Sequence, residues 1–444
     1  MFVANRRYKS KANRPYDLRS LFAAGPRYAG FLGDPDNFST QFTTHDGSTN
    51  ITGSDQATGR VEPIAGAVEL TQSVSADRPT SAEVPRGGVT NLFAETGVPS
   101  EDLTSAKWAK TGATAPSAGA LQASSGSSSH RAIPTAFTTA SSDVLVFKFR
   151  ASQGTHPYLQ IAISSQAADF VNIDLSDGTE GSGGGTYTLD IEDAGGGEYD
   201  ITFTYTAGGT GRAPFIVIVE DASSARDPTW NAAGTETINA SLFQVNLTTE
   251  KPYQKVTSAA VITEAGVPSI RGWYFDGGDD SFNGTFTSAD FEATGASIFG
   301  WVQIYNPAPG ADEYYAGLYG SDATAHFALA VQSSNDKVAL KYQDDAGGGV
   351  VTVEGPDAAF GLHYYVMYFD ASGNLVLWWD GTEYTGTMTP DTITLESFAV
   401  GTFDPNDTPS NYSDGIQSPA CIFRAITASE IAQTNNNLAS LTGV

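Results

Sequence analysis

From Asp143 onward the sequence alternates. The stretches "DVLVFKFRA" (143–151), "YLQIAISS" (158–165), "FVNIDLS" (170–176), "TYTLDIED" (186–193), "YDITFTYTA" (199–207) and "PFIVIVEDA" (214–222) set apolar residues two apart or in short β-branched runs, with Gly, Ser or Asp at their ends. A period of two is that of a strand with one buried face. These segments read as a meander of about six strands. A second series runs from "GWYFDGGDDSFNG" (272–284) through "SIFGWVQIYN" (297–306), "HFALAVQSS" (326–334) and "LHYYVMYFDASGNLVLWWDGTEY" (362–384) to "DGIQSPACIFRAIT" (414–427), with turns at "DASGN" and at "DG" after Trp379. Helical signals are scarce. "TASEIAQTNNNLASL" (427–441) has Thr427 as N-cap, Glu430 at the capping-box position, and Ile431 and Leu438 able to share one face. Faces of this kind are buried by stacking sheets in pairs, so the expected fold is all-β: two antiparallel sandwiches in tandem after an extended N-terminal arm, with a short C-terminal helix.

Composition agrees. A chain of 444 residues is long enough for two or three domains, and its 47 glycines and 11% aromatic content suit many short strands joined by turns. The lone Cys421 has no partner for an intramolecular disulfide. No signal-peptide core is visible near the N-terminus, and no apolar run approaches the roughly 18–20 residues of a membrane span. The expected divisions are a basic arm (1–33), an extended connector with a few short strands (34–88), a first sandwich (89–256) and a second (257–444). The words "AETGVPS" (94–100) and "TEAGVPS" (263–269) stand near the two module openings.

Charge is distributed unevenly. Residues 1–30 hold seven Lys or Arg against Asp17, giving +6, and with an overall charge of −27 the remainder carries −33. Read by composition alone, "MFVANRRYKSKANRPYDLRSLF" is either a disordered tail or an arm that folds onto an acidic partner, with Arg6, Arg7, Arg14 and Arg19 as charges and Tyr8, Tyr16 and Phe22 among the apolar anchors. Nucleic acid is a poor partner, because a body of −33 is repelled by a polyanion.

Catalytic motifs are sparse. His45, His130, His156, His326 and His363 are scattered without zinc-ligand spacing, and no nucleophile elbow, phosphate loop or dinucleotide fingerprint occurs. The adjacent acids Asp279–Asp280 and Asp344–Asp345 are poor glycosidase pairs, since neighbours on a strand point to opposite faces. Turn acids are the plainer reading, and no enzyme activity is expected.

Several segments resemble known modules. "YFDGGDDSF", "SIFGWVQIYN", "HYYVMYFDASGNLVLWWDGTEY", "VGTF" and "AITASEIAQ", in that order across 273–438, resemble the concanavalin-like laminin-G jelly roll. Residues from Asn91 to about Val256, opening "NLFAETGVPSEDLTSAKWAKTGATA" and closing "INASLFQVNLTTEKPYQKV", resemble the carbohydrate-binding-like jelly rolls of phage structural proteins. Ahead of them, Thr71-Gln72 and Arg78-Pro79-Thr80 mark a segment similar to a connector that precedes such modules. The resemblance implies a virion surface fibre, spike or decoration protein of a tailed phage or phage-like particle. Such a protein is made in the host cytoplasm without a signal peptide and assembles as a homotrimer or another symmetric oligomer. Its arm would dock on a capsid, neck or tail protein, and its sandwiches would bind host-surface polysaccharide without inserting in a membrane. The alternatives are a structural cement or collar protein that binds no sugar, and a polysaccharide-degrading enzyme.

Two sets of side chains fit that role. Asp276, Asp279 and Asp280 in "FDGGDD", with Asp404 and Asp407 in "FDPNDTPSN" or Asp414, offer the hard oxygen ligands that Ca²⁺ selects, although Asp and Gly also simply make turns. Exposed aromatics can stack on a sugar's C–H face. Trp378, Trp108, Tyr314, Tyr315 and Tyr412 are the expected platforms. In "LVLWWDG", if Leu375 and Leu377 face the core then Trp379 follows them and Trp378 points the other way.

Overall fold

The computed structural model describes residues 30–32, 41–42, 60–61, 70–71 and 78–444, apart from 167, 286–294, 321–324, 346–348, 390–392, 403–411 and 423–424. The fold is all-β, built of antiparallel sheets with a short helix at the C-terminus. None of the helices among the described residues is long and apolar enough to cross a membrane.

The first sandwich packs two six-stranded sheets. One has the order Thr179–Gly184, Phe170–Asp174, Tyr158–Ile163, Pro214–Ile218, His130–Pro134, Trp108–Thr111; the other runs Tyr187–Gly195, Glu198–Thr206, Val144–Gln153, Thr237–Leu247, Ala120–Ala123, Ala113–Ser117. The alternation seen in the sequence is the inside and outside of these sheets. Phe147 pairs with Phe203 and with Val245, Phe149 pairs with Ile201, and all five side chains are buried against Leu159, Ile161, Ile173, Ile216 and Ile218. Each such side chain contributes on the order of 1.5–3 kcal/mol of transfer free energy. The simple meander expected from the sequence is corrected: Val144–Gln153 and Tyr158–Ile163 are consecutive yet belong to different sheets, because each must present its apolar face to the other.

The second sandwich pairs a larger sheet, in which Ser269–Asp276, Asp414–Ile422, Gly295–Ile304, Gly361–Asp370, Asn374–Trp379 and Thr382–Thr387 lie side by side, with one containing Phe282–Thr285, Ser397–Val400, Glu313–Tyr319, His326–Val331, Lys337–Gln343 and Val351–Asp357. Its inner faces enclose Trp273, Phe275, Phe282, Tyr315, Phe327, Tyr365, Phe369 and Trp379. The larger sheet also takes strands from both sides of the first sandwich. Thr80–Pro85 pairs antiparallel with Ser269–Asp276, and Val261–Glu264 and Gln254–Ser258 extend the same edge. Residue 256, the expected boundary, therefore lies inside a strand, and the first sandwich leaves and re-enters the chain at adjacent strands of the second. Two-residue strands at 41–42, 60–61 and 70–71 join the smaller sheet's edge beside Phe282–Thr285, and Gly30–Leu32 pairs with Asp414–Ile422.

A continuous apolar core connects the parts. It runs from the interior of the first sandwich through Ala82, Val84, Val256 and Ile262 to the outer face of the larger sheet at Phe299, Trp301, Tyr305 and Val366. There the helix Ala428–Thr442 lies on the sheet, with Ile431 and Leu438 buried in this core as their spacing predicts. Its start has a full capping box: Glu430 N–H donates to Thr427 Oγ1, and Thr427 N–H donates to the Glu430 carboxylate at 2.9 Å.

Asn91 fastens the opening of the first jelly roll. Its buried amide donates to Phe243 O (3.2 Å) and Gln254 O (3.0 Å), while its Oδ1 accepts from the N–H groups of Phe93 and Val245 (3.2 Å each). The two echoed heptapeptides have different structures. "AETGVPS" closes the short helix Phe93–Thr96, whereas "TEAGVPS" turns from Val261–Glu264 into Ser269–Asp276. What they share is a glycine at positive φ, +61° at Gly97 and +78° at Gly266, where a side chain would be strained.

One turn of the first sandwich makes its stability sensitive to pH. The Glu236 carboxylate accepts the N–H groups of Ala233 (2.9 Å), Gly234 (2.9 Å) and Thr235 (3.0 Å), and these bonds, Ala233's foremost, pull its pKa down to about 2 from 4.5. A depressed folded pKa contributes stability above pH 4.5 that is lost as pH falls toward 2. Glu236→Gln is expected to cost about 1 kcal/mol at pH 7, a figure discounted for water around the carboxylate, with the difference closing at the acid end of that window. Urea midpoints of both proteins across pH check this. A gap that stays constant with pH would contradict it.

Candidate functional site

The strand Ser269–Asp276 alternates so that Trp273 and Phe275 enter the core, which brings Asp276 out at the strand end, paired with Asp414 at the start of the neighbouring strand. The chain then turns through Gly277, whose φ of +74° and N–H bond to Ser413 O (3.1 Å) hold it against that neighbour. Gly278 N–H donates to Asp276 Oδ1 (2.8 Å), and Asp276 N–H donates to Asp280 Oδ2 (3.1 Å). The turn folds three carboxylates together. One oxygen from each of Asp276, Asp279 and Asp280 lies within 4.8 Å of the others, with Asp276 and Asp279 exposed and Asp280 buried.

Two further acids stand beside this turn. Glu313, at the start of Glu313–Tyr319, is buried; its carboxylate accepts from Asp414 N–H (3.3 Å), Asn306 Nδ2 (2.8 Å) and the Tyr315 hydroxyl (3.4 Å). Burial outweighs those bonds and raises its pKa to about 7. Its folded pKa thus lies above the unfolded 4.5, and the sign is opposite to that of Glu236: the contribution present below pH 4.5 is lost as pH rises toward 7. Asp414 is pushed well above the carboxylate range by burial and then by Glu313's charge, and its Oδ1 is buried without a hydrogen-bond partner. No Lys or Arg among the described residues forms an ion pair with Asp276, Asp279, Glu313 or Asp414. An oxygen-only set of crowded carboxylates with an orphaned buried acceptor beside it fits a hard divalent cation. Calcium, bound by oxygens at roughly 2.3–2.6 Å, tolerates the irregular spacing of a turn.

The aromatic candidates are divided by the structure. Tyr314 follows Glu313 and forms a bridge to Tyr412, which precedes Asp414 by two residues, so both tyrosines share the acidic edge. Each is only 8% exposed, and Tyr314 packs with Tyr319, Ala328, Ala330 and Ala399 with the Lys341 ammonium 5.4 Å from its ring centre, so neither offers an open face for stacking. Tyr315 is a correction: it is fully buried, as alternation from Tyr314 requires, and only its hydroxyl reaches the acids. Trp108 is also corrected, because its ring packs at 4.8 Å from Phe243 and 5.5 Å from Phe93 in the core, with Nε1 donating to Pro99 O. Trp379 lies inside with Leu375 and Leu377, while Trp378 faces the opposite side and is half-buried against the core beneath the C-terminal helix.

Tyr274 completes the edge and was missed by the sequence reading. It is half-buried between Trp273 and Phe275, and its hydroxyl is pushed upward by burial and by Asp414, Asp276 and Asp280. Its signal was present in "WYFD", where the tyrosine lies with Asp276 on the face opposite the two core aromatics. Asp345 keeps to a turn role, accepting the N–H (2.9 Å) and hydroxyl (2.8 Å) of Thr394. Asp404, Asp407, Arg6, Arg7, Tyr8, Arg14, Tyr16, Arg19 and Phe22 lie outside the described residues.

No protein-family model matches the chain, and no curated protein matches it. Among solved structures, the botulinum neurotoxin serotype G binding domain aligns at 12% identity with TM-score 0.32, over 40% of this chain and 44% of the toxin chain. A mutant NanB sialidase of Streptococcus pneumoniae aligns at 13% identity and TM-score 0.28, over 36% and 27%. The carbohydrate-binding module 40 of a Ruminococcus gnavus sialidase, bound to α2,3-sialyllactose, aligns at 13% identity and TM-score 0.27, over 32% and 83%. The chain thus spans less than half of the toxin binding domain and of the NanB sialidase.

Proposed function

We propose that this protein binds glycan through the acidic edge of its second sandwich, with Ca²⁺ held by Asp276, Asp279 and Asp280 and sugar received beside Tyr274, Tyr314 and Tyr412. The observation that carries the reading is the convergence at one rim of three turn carboxylates with buried Glu313 and half-buried Asp414, beside the Tyr274 hydroxyl, whose pKa is pushed upward by burial and by Asp414, Asp276 and Asp280. A bound cation would offset the mutual repulsion of these acids and could take sugar hydroxyls into its coordination sphere. Tyr274 would cover the apolar side of the ring.

The setting we propose is the surface of a phage or phage-like particle. The basic arm, with Arg6, Arg7, Tyr8, Arg14, Tyr16, Arg19 and Phe22, would dock on a capsid, neck or tail protein, and a homotrimer would raise weak single-site affinity by avidity. The low exposure of Tyr314 and Tyr412 favours a second reading, a structural cement or collar protein whose rim holds calcium only for stability. Calorimetric titration of extracted host polysaccharide into the full chain, with reducing ends assayed in parallel, separates these. Saturable heat without reducing-end release is expected. No heat in millimolar Ca²⁺ would leave the structural role, and released reducing ends would mark an enzyme. Deleting residues 1–29, which spares the strand Gly30–Leu32, is expected to abolish incorporation into particles while leaving polysaccharide binding intact.

A further inference from the structure

The first sandwich carries a pocket of about 540 Å³ on the outer face of one sheet, remote in sequence from the acidic rim. Lys148 and Arg150 come to it from Val144–Gln153, Asp200 from Glu198–Thr206, Leu242 and Gln244 from Thr237–Leu247, and the turn Glu250–Tyr253 forms a wall. Its size falls within the roughly 300–1,000 Å³ of small-ligand sites.

Two features distinguish it from an ordinary sheet surface. The first is a break in pairing. The register between Val144–Gln153 and Thr237–Leu247 shifts between Lys148 and Arg150, and Leu242 sits there at φ +57°. A left-handed leucine costs about 1–2 kcal/mol. The bulge places half-exposed Leu242 in a pocket whose lining mixes charged groups with Pro252 and Tyr253. The second is charge. Arg150 is held by Asp200 through two bonds of 2.8 and 2.9 Å, and Lys148 pairs with Glu250, but the exposed Lys251 forms no ion pair among the described residues. In a protein of net charge −27, Lys251 is the one cation lining the pocket that no carboxylate among the described residues pairs, Arg150 being held by Asp200 and, at 3.7 Å, by Glu198, and Lys148 by Glu250.

We propose that this pocket is a second saccharide site and that it takes a sugar bearing a carboxylate. Leu242 and the ring of Pro252 meet the sugar's apolar face, the fixed Asp200 and Glu250 carboxylates accept from its hydroxyls, and Lys251 pairs with its acid group, while buried Gln244 braces the turn through Lys251 O (2.9 Å) and Gln254 N–H (2.7 Å). The inference rests on the glycan-binding reading but uses different residues and no calcium.

The test is titration of trigalacturonate, and of its methyl-esterified neutral form, into the full chain with chelator present. The acid form is expected to bind at least about tenfold more tightly, the equivalent of about 1.4 kcal/mol, with affinity falling as salt rises. Lys251→Glu is expected to remove that preference. Leu242→Gly relieves the left-handed strain, so the variant should be at least as stable while both forms bind more weakly. Equal binding of the two forms, unchanged binding by Lys251→Glu, or no binding by the folded wild type would each overturn the proposal. Calcium-dependent attachment to host cells that survives Lys251→Glu would keep the rim reading in place, so the two fail separately.

Discussion

Ten millimolar Ca²⁺ is expected to raise the thermal midpoint of the second sandwich by several degrees, and replacing Asp276 and Asp279 with asparagine is expected to remove the effect. A cation that binds only the folded chain stabilises it in proportion to the logarithm of its excess over Kd. For a site of about 0.1 mM, typical of extracellular calcium modules, ten millimolar is a hundredfold excess and gives about 2.7 kcal/mol. For a domain of this size that corresponds to a shift of roughly 5–10 °C. The two substitutions keep the turn's hydrogen-bond geometry within reach, since Gly278 N–H can still find an amide oxygen at position 276. They should also raise the midpoint measured in chelator, because two charges leave a cluster in which Glu313 and Asp414 already resist ionisation. Differential scanning calorimetry of both proteins, with calcium and with chelator, reads all four values. Equal midpoints for the wild type in the two conditions would remove calcium from the account.

Asn91→Ala is expected to be the most damaging single change to the first sandwich, costing about 3–5 kcal/mol in urea unfolding. The alanine leaves the N–H groups of Phe93 and Val245 and the carbonyls of Phe243 and Gln254 without the partner they have now, in a site with no exposure. Each unsatisfied buried group costs about 1–3 kcal/mol, less what the neighbours recover by relaxing. Asn91→Asp is a stricter probe. It keeps the acceptor toward Phe93 and Val245 but turns an oxygen toward two carbonyl oxygens, so it should be no better than alanine near neutral pH and improve as the acid protonates. A loss below about 1 kcal/mol for Asn91→Ala would mean that the opening segment is held by packing alone.

Much of the fold was legible because alternation records which residues share a face. "DVLVFKFRA" and "YDITFTYTA" give the inner faces of two paired strands directly, and the capping box at Thr427 and Glu430 marks the helix start. Partner choice was not legible. Nothing in an alternating segment states that Val144–Gln153 and Tyr158–Ile163 belong to different sheets, or that Thr80–Pro85 pairs with a strand almost two hundred residues later. The aromatic candidates suffered from a related ambiguity. Alternation puts Trp378 opposite Leu375 and Leu377 but cannot reveal that the C-terminal helix and the first sandwich cover that outer face too. Trp301 is buried on the same outer side, next to Gly272, where a Cβ would come within 2.7 Å of the indole.

The acidic rim was half legible. "FDGGDD" displays its three carboxylates in one turn, whereas Glu313 and Asp414 join it only through strand pairing across long loops. The pocket of the first sandwich had no local signature. It depends on three strands, one turn and a left-handed leucine whose conformation no propensity predicts.

The central claim is that the acidic rim is a calcium-dependent glycan site. It is tested most directly by the attachment of labelled full-length protein to host cells, comparing wild type with the Asp276→Asn, Asp279→Asn variant in Ca²⁺ and in chelator. The account predicts saturable attachment of the wild type in Ca²⁺, lost in chelator and lost in the variant under both conditions. Attachment of the variant equal to wild type, or attachment indifferent to chelator, would contradict it.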